Sequence, residues 1–442
     1  MTPQEFIARA ATLGPMHDVQ VHCRRWLGDD YDLDAMYAVL ATAAAETLAG
    51  DPLWLLIVSG SGNAKTETVS ALSGIGATVV STITSDGALL SGSPSREKTK
   101  ESTGGLLRAI GSRGVLVIKD VTSILSMNRD TRGAVLAALR EVHDQHWTRH
   151  VGTDGGRSLS WQGRIAIVGA VTTAWDRAHD VIASMGDRFV ILRMDSTQGR
   201  TLAGRRAVAN TGAEAQMRAD LAGAAAAVLA TVQPSQAVTL TEAETERLLQ
   251  AADVVTLART GVDYDYRGDV IDAHAPEMPT RFAKQLAQMF RGAVAIGLDR
   301  PAALRLALRC ARDSMPPLRL AILDDVAAHP GTSTTDVRRR LAKPRATVDR
   351  QLQALHMLGV LRCDEDEAER FGKVVTSWRY SVADGINPDA LNPALPSPDL
   401  SVSKVFGSRE TFTRATDISG DGAGFDAQPF LDAEGRPARR PA

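Results

Sequence analysis

The stretch Leu55–Leu72, LLIVSGSGNAKTETVSAL, decides how this chain is to be read. An apolar run leads into a loop of small residues, then a Lys-Thr pair, then a helical pattern. Successive backbone N–H groups at the head of a helix point inward at an anion, and the helix dipole adds to the attraction. The pattern G-x-x-x-x-G-K-[ST] adds a lysine for the terminal phosphates and a hydroxyl for Mg2+. Lys65 and Thr66 hold the last two places, Gly60 and Gly62 keep the loop flexible, and the apolar run supplies the strand. Ser59 and Ala64 stand where the pattern has glycine, and alanine is tolerated at modest cost where φ stays negative. The loop is therefore expected to bind ATP through Ser59, Gly60, Ser61, Gly62, Asn63, Ala64, Lys65, Thr66 and Glu67, with Thr66 on Mg2+. The competing reading is a Ser/Gly turn before an ordinary helix with an exposed lysine.

The chain of 442 residues is long enough for two or three domains. At 44% hydrophobic, 23% charged and a formal charge of −2, it has an ordinary globular composition. Any nucleic-acid surface must therefore be local and offset by acidic regions. Cys23, Cys310 and Cys363 are far apart and odd in number, which fits a reducing cytoplasm and neither a disulfide framework nor a metal cluster. No signal peptide and no membrane span are expected from the hydropathy pattern.

Residues 1–50 read as helical. From Trp54 to about Asp195, short apolar runs (LWLLIV, ATVVST, GVLVIKD, RIAIVGAV, RFVILRM) alternate with helical stretches, the signature of a mostly parallel sheet covered on both faces. Residues 200–300 read as wholly helical. From about Gly385 the chain is rich in Pro, Asp, Ser and Gly and reads as a disordered tail. The division that follows is 1–50, an N-terminal helical segment; 51–198, a nucleotide-binding core; 199–314, a helical lid; 315–384, a DNA-binding module; and 385–442, the tail.

Around the loop, GVLVIKDVTSIL is a buried strand ending in Lys119-Asp120. A strand-terminal acid beside a phosphate loop holds Mg2+ or polarises the attacking water; the alternative for Asp120 is a helix cap. HWTRHVGTDGGRSLSWQG reads as a β-hairpin at about Trp147–Trp161 with TDGG as its turn. RIAIVGAVTTAWD is a further buried strand ending in Thr172 and Thr173, and Arg188 stands at the start of the last one.

This succession resembles the AAA+ ATPases, and more narrowly their MCM-like helicase branch, over roughly Asp51 to Gly297. That branch has alanine before the loop lysine, as Ala64 is here. Its second acidic strand ends in Asp-Glu, so Lys119 falls at the Asp and Asp120 at the Glu. The resemblance implies either that Asp120 alone serves metal and water or that hydrolysis is weak, that Thr172 stands in for the γ-phosphate sensor, and that Arg188 in Asp187-Arg188-Phe189 is an arginine finger reaching a neighbouring subunit. It implies also that Arg281 in PTRFAKQLAQMFRGA is the key residue of the second sensor helix. The hairpin would touch DNA through Arg149, His150 and Arg157. Lys65, Asp120, Thr172, Arg188 and Arg281 are thus the expected catalytic set.

The segment Pro317–Val382 divides into an amphipathic helix to Ala328, a helix Thr334–Leu341, a longer helix from Pro344 to about Leu358, and two strands flanking an acidic loop. This is the winged-helix layout. Val348, Leu352, Leu355 and Leu358 would face the core. Arg345, Thr347, Arg350 and Gln351 would face outward toward a DNA groove, and Arg338, Arg339 and Arg340 would meet phosphates. The fold expected is α/β, an AAA+ P-loop core with helical lid and C-terminal winged helix. Its expected partners are DNA and further copies of itself in a ring, a hexamer by the resemblance. A replicative helicase or translocase of phage or mobile-element type is the leading functional expectation. A replication initiator or loader using ATP as an assembly switch, or a DNA-binding regulator with a degenerate site, are the alternatives.

Overall fold

Strands β1 (Trp54–Val58), β2 (Thr78–Val80), β3 (Arg113–Ile118), β6 (Arg164–Val171) and β7 (Val190–Arg193) form one parallel sheet in the order β2-β3-β6-β1-β7. The computed structural model describes residues 14–92, 104–152, 156–177, 188–197, 199–234, 237–370 and 373–394. Every residue of β1 and β6 is buried, because both faces of the sheet are covered. The pleat sends alternate side chains to two separate cores. Leu55, Ile57, Val117, Val168 and Leu192 join one, and Trp54, Leu56, Ile118, Ile167 and Ile191 join the other.

The first core is closed by α1 (Pro15–Leu27) and α2 (Leu33–Thr47), and by the short α3 (Lys65–Ser70) with the 3-10 turn after it. The second is closed by α4 (Asp86–Leu89), α5 (Leu106–Ile110), α6 (Thr122–Leu125), α7 (Arg129–His143) and α8 (Ala174–Arg177), together with a hairpin of β4 (His146–Val151) and β5 (Arg157–Gln162). Trp147 faces Trp161 across that hairpin, and both pack inward. Of its expected turn, residues 153–156, residues 153–155 lie outside the described residues.

After β7 come α9 (Arg200–Ala209), α10 (Glu214–Ala230), α11 (Glu242–Arg259), α12 (Thr280–Ala295) and α13 (Arg300–Asp313). The Ala-rich α10 is a packed helix with Leu221, Ala224, Ala225 and Val228 buried. Helices α2 and α12 cross so closely that a Cβ on Gly292 would lie 2.1 Å from the carbonyl oxygen of Ala41. The expectation of an all-helical 200–300 fails at one place. Between α11 and α12 the chain forms an antiparallel hairpin, β8 (Val262–Tyr264) with β9 (Val270–Ala273). Its turn is made by Asp265, whose Oδ1 accepts the N–H groups of Arg267 and Asp269, both at 2.8 Å. That Asx-type turn was readable in DYRGD but was overridden by the helical pattern on either side.

The C-terminal segment holds α14 (Pro317–Ala328), α15 (Thr334–Leu341) and α16 (Arg345–Met357), then the antiparallel pair β10 (Leu361–Arg370) and β11 (Lys373–Val382). Pro344 is the residue before α16 and not its first, while Val348, Leu352, Leu355 and Leu358 are buried as their spacing predicts. The acidic run Asp364–Glu367 is not a loop. It lies within β10, where Asp366 is held by Arg379 at 3.3 Å from the opposite strand. Residues 385–394, expected in the tail, instead pack on the body. Ala390 and Leu391 of a 3-10 turn are buried, and Arg247 donates to the carbonyls of Asp389 and Asn392 at 2.7 and 3.0 Å. The rest of the expected tail lies outside the described residues.

Candidate functional site

All five strands run the same way, so their carboxyl ends share one edge of the sheet, the edge where ligands of open α/β sheets bind. The loop Ser59–Ala64 leaves that edge from β1, with the N–H of Ser59 donating to Val171 O at 3.3 Å. Gly62 has φ +79, and a Cβ on Gly60 would stand 2.7 Å from Ser196 Oγ. Ala64 does not keep a negative φ. It sits in the left-handed region at φ 52, ψ 10, directly before α3. That conformation costs a non-glycine residue about 1 kcal/mol, so the loop carries strain at the point where the helix begins. No side chain caps α3, leaving the N–H groups of its first turn without intrahelical acceptors.

Lys65 is buried, and its Nζ folds back onto the carbonyl oxygens of Ser59, at 3.1 Å, and Gly60. Burial pushes the ammonium pKa down, and the negative charge of Asp120 opposes that shift. Asp120 therefore lies within electrostatic reach of Lys65. Thr66 is exposed; Glu67 is clamped by Arg218 at 2.9 and 2.8 Å.

The topology explains the meeting. Strand β6 lies between β1 and β3, so the end of β6 sits between the loop and the turn after β3. Thr172 closes β6, and its N–H and hydroxyl both meet Thr122 Oγ1, at 3.1 and 3.3 Å. Asp120 lies past the end of β3 and is exposed, while Lys119 is half-buried. Asp120 Oδ1 accepts the N–H of Thr122 at 2.9 Å, so the capping role runs alongside any metal role. The structure thus joins Lys65, Asp120 and Thr172 at one edge, with Thr122 as a linker that no pattern had singled out. An exposed hydroxyl at Thr66 and an exposed carboxylate at Asp120 are the oxygen ligands Mg2+ prefers, and the residues fit that ion. Among the described residues, no cluster of three His, Cys, Asp or Glu could hold a metal by itself.

Arg188 and Arg281 lie elsewhere. Val190 pairs with Leu55, so Arg188 stands at the amino edge of the sheet, roughly 20 Å from Ser59 at about 3.3 Å per residue. Arg188 pairs with Asp144 at 3.6 Å, and its carbonyl accepts from Gln285 of α12. Arg281, one turn earlier on α12, pairs with Glu277 at 2.8 Å, and Arg259 shares that carboxylate at 2.7 Å. Burial lowers the pKa of Arg188, and the nearby charge of Arg281 adds to the effect. The two arginines form one cluster, and neither meets Lys65 of its own chain.

The expected DNA-contacting residues divide. Arg149 and Arg157 share the inward face of the β4–β5 hairpin with Trp147, Leu159 and Trp161, whereas His150 is on the other face. Arg149 is bound to Asp86 at 3.0 Å and to Leu90 O at 2.9 Å. His150 is exposed and bonded to Ser158 Oγ at 2.8 Å. On α15, Arg338 and Arg339 are exposed, but Arg340 is held bidentate by Asp325 at 2.7 Å. On α16, Arg345 and Thr347 are exposed. Arg350 and Gln351 are not outward: Arg350 donates to Arg267 O at 2.8 Å on the β8–β9 turn, and Gln351 accepts from Arg319 at 2.9 Å. The inserted hairpin, invisible to the helical reading, is what covers Arg350.

No helix among the described residues is long and apolar enough to cross a membrane. No family model matches the chain, and no curated protein matches it. Among solved structures, a full-length MCM homolog from Methanopyrus kandleri aligns over 71% of this chain at 13% identity and a TM-score of 0.38. The chain spans 62% of that homolog's length. The apo A form of the NrS-1 C-terminal region aligns over 83% of this chain and 75% of its own, at 11% identity and a TM-score of 0.26. Both likenesses are distant, and the chemistry is carried by the residues above.

Proposed function

We propose that this chain is an ATP-driven, DNA-acting protein of the AAA+ kind, working as a ring of copies as a helicase or translocase. The observation that carries the reading is the split between the two edges of the sheet. Lys65, Asp120 and Thr172 share the carboxyl edge, while Arg188 and Arg281 sit together at the amino edge, out of reach of their own loop. Phosphoryl transfer is mostly positioning and neutralisation of developing charge. In this reading the first-turn N–H groups and Lys65 hold the phosphates. Thr66 and Asp120 hold Mg2+, which supplies positive charge against the phosphate oxygens. Thr172, steadied by Thr122, faces the terminal phosphate. The arginine cluster of one copy completes the site of the next, so turnover depends on assembly. The proposed organisation keeps a core at 51–198, a lid at 199–314 and a winged-helix module at 315–384. DNA is met through Arg338, Arg339, Arg345 and Thr347, with His150 on the β4–β5 hairpin.

DNA-stimulated ATP hydrolysis by the purified protein, lost in Lys65→Ala, is the test. Mixing Lys65→Ala with Arg188→Ala chains restores part of the activity if the arginine acts between copies. No hydrolysis in any oligomeric state sinks the motor reading. A second reading is favoured by Asp120, whose Oδ1 is already engaged by Thr122 and whose neighbour is Lys119. Under it, bound ATP is an assembly switch for an initiator or loader, and a strand-displacement assay separates the two.

A further inference from the structure

Two patches at opposite ends of the strands carry the most exposed large apolar side chains among the described residues. Helix α9 has ten residues and buries none of them, with Leu202 59% and Val208 76% exposed. It is moored to α1 by Arg206 donating to Arg25 O at 3.1 Å and, just past its end, by Asn210 donating to Trp26 O at 2.8 Å. A helix shorter than about 12 residues is marginal in water without packing. Between Gly199 and Ala213 there are Arg200, Arg205 and Arg206 and no acidic residue. The second patch is the β8–β9 hairpin and the segment after it, with Tyr266 87%, Ile271 61% and Met278 70% exposed. Its charge is opposite, from Asp263, Asp265, Asp269 and Asp272 against Arg267, while Glu277 at its base is paired with Arg259 and Arg281. A two-stranded hairpin is likewise marginal alone. This one is tied at its tip, where Asp265 accepts from two N–H groups and Arg350 donates to Arg267 O.

We infer that the acidic, apolar β8–β9 hairpin of one copy docks on the basic, apolar α9 helix of a second copy of this chain. The inference rests on the reading of the protein as a self-assembling ATPase and names the surface that assembles it. Two different, complementary patches on one molecule make a head-to-tail contact, which closes into a ring when the rotation per copy allows. Their positions agree with the chemistry. Helix α9 begins at Gly199 beside Asp30, on the carboxyl edge that carries Lys65. The hairpin springs from Arg259 and returns to Glu277 and Arg281, which belong to the amino-edge arginine cluster. Docking one on the other turns the arginine edge of one copy toward the lysine edge of the next.

The test uses full-length chains in a Cys363→Ser background, where the remaining Cys23 and Cys310 are buried. Chains carrying Leu202→Cys and chains carrying Ile271→Cys are mixed with an ATP analogue and forked DNA and treated with a bismaleimide. A cross-linked pair containing one chain of each kind is expected, with neither chain cross-linking alone. Arg205→Glu and Asp272→Arg, both at exposed positions, each raise the concentration needed for assembly at least tenfold in sedimentation, and the double variant restores it. Assembly that proceeds with no cross-link and no charge effect overturns this interface and leaves the ring reading standing. No assembly of the unmodified chain overturns both. Loss of DNA affinity in Arg205→Glu with assembly unchanged makes α9 a nucleic-acid surface and also overturns the inference.

Discussion

Asn63 donates its side-chain N–H to Ser59 Oγ at 2.7 Å and to Asp195 O at 3.0 Å, closing the Ser59–Ala64 loop across its base. Ser59, a departure from the glycine pattern, is thereby hydrogen-bonded within the loop. Removing the acceptor in Ser59→Ala costs one hydrogen bond, about 1 kcal/mol. The expected result is a three- to tenfold weaker affinity for a fluorescent ATP analogue, roughly, with little change in melting temperature. Unchanged affinity would show that the bond is incidental.

Ala64 holds a left-handed conformation that glycine adopts freely. Ala64→Gly should therefore stabilise the fold by up to about 1 kcal/mol, and Ala64→Val should destabilise it by more. Urea melts of the three proteins decide the point, and the reverse order would refute the strain.

Thr122 joins the turn carrying Asp120 to Thr172 at the end of β6. Thr122→Val keeps the side-chain shape and removes the hydroxyl. Turnover should fall about tenfold or more, the scale of one misplaced polar group at about 1.4 kcal/mol or above, while nucleotide affinity stays near normal. Equal losses in both would make Thr122 structural only.

Arg164 is buried where α2 ends, donating to the carbonyls of Ala45, Glu46, Leu48 and Asp51 at 2.7–3.2 Å and lying 3.6 Å from Glu46. Arg164→Met strips these acceptors and leaves Glu46 buried beside Arg113 alone. A loss of about 3–5 kcal/mol is expected by denaturant unfolding. A loss under about 1 kcal/mol would mean that water replaces the guanidinium.

His143 packs edge-on against Trp54 at 5.0 Å, and burial pushes its pKa from 6.5 down to about 4, with Asp144 opposing and Arg188 and Arg281 reinforcing. The unfolded chain takes up the proton first, so this stability is full above 6.5 and is lost as pH falls toward 4. Between about pH 7.5 and pH 5 the loss is about 2 kcal/mol. Asp313 works the other way: burial lifts its pKa to about 6, so the fold gains as pH drops through that value. His143→Leu should remove the acid-side loss and leave the gain from Asp313, which paired urea melts at the two pH values would reveal.

The sheet was legible because buried parallel strands are continuous apolar runs, and RIAIVGAV maps onto β6 without a shift. The strand–loop–helix course from Trp54 to Ser70 was legible for a similar reason, as small residues between an apolar run and a helical pattern have a local cause. Long-range partners were not. Nothing near Arg350 in sequence announces that Arg267 covers it, and nothing near Arg149 announces Asp86. The φ of Ala64 was misjudged because the residue type argues against the conformation that the loop imposes. Arg149, His150 and Arg157 were grouped by position in sequence, whereas a pleat assigns faces by parity.

Arg319 reaches out of α14 to the carbonyls of Ala258 and Thr260, at 2.8 and 2.7 Å, and to Gln351 of α16 at 2.9 Å. It is buried and satisfies the end of α11 as a bolt would. The C-terminal helices are for that reason no pendant on a string. Arg345, at the head of α16, is thereby tied to the end of α11 through Gln351 and Arg319.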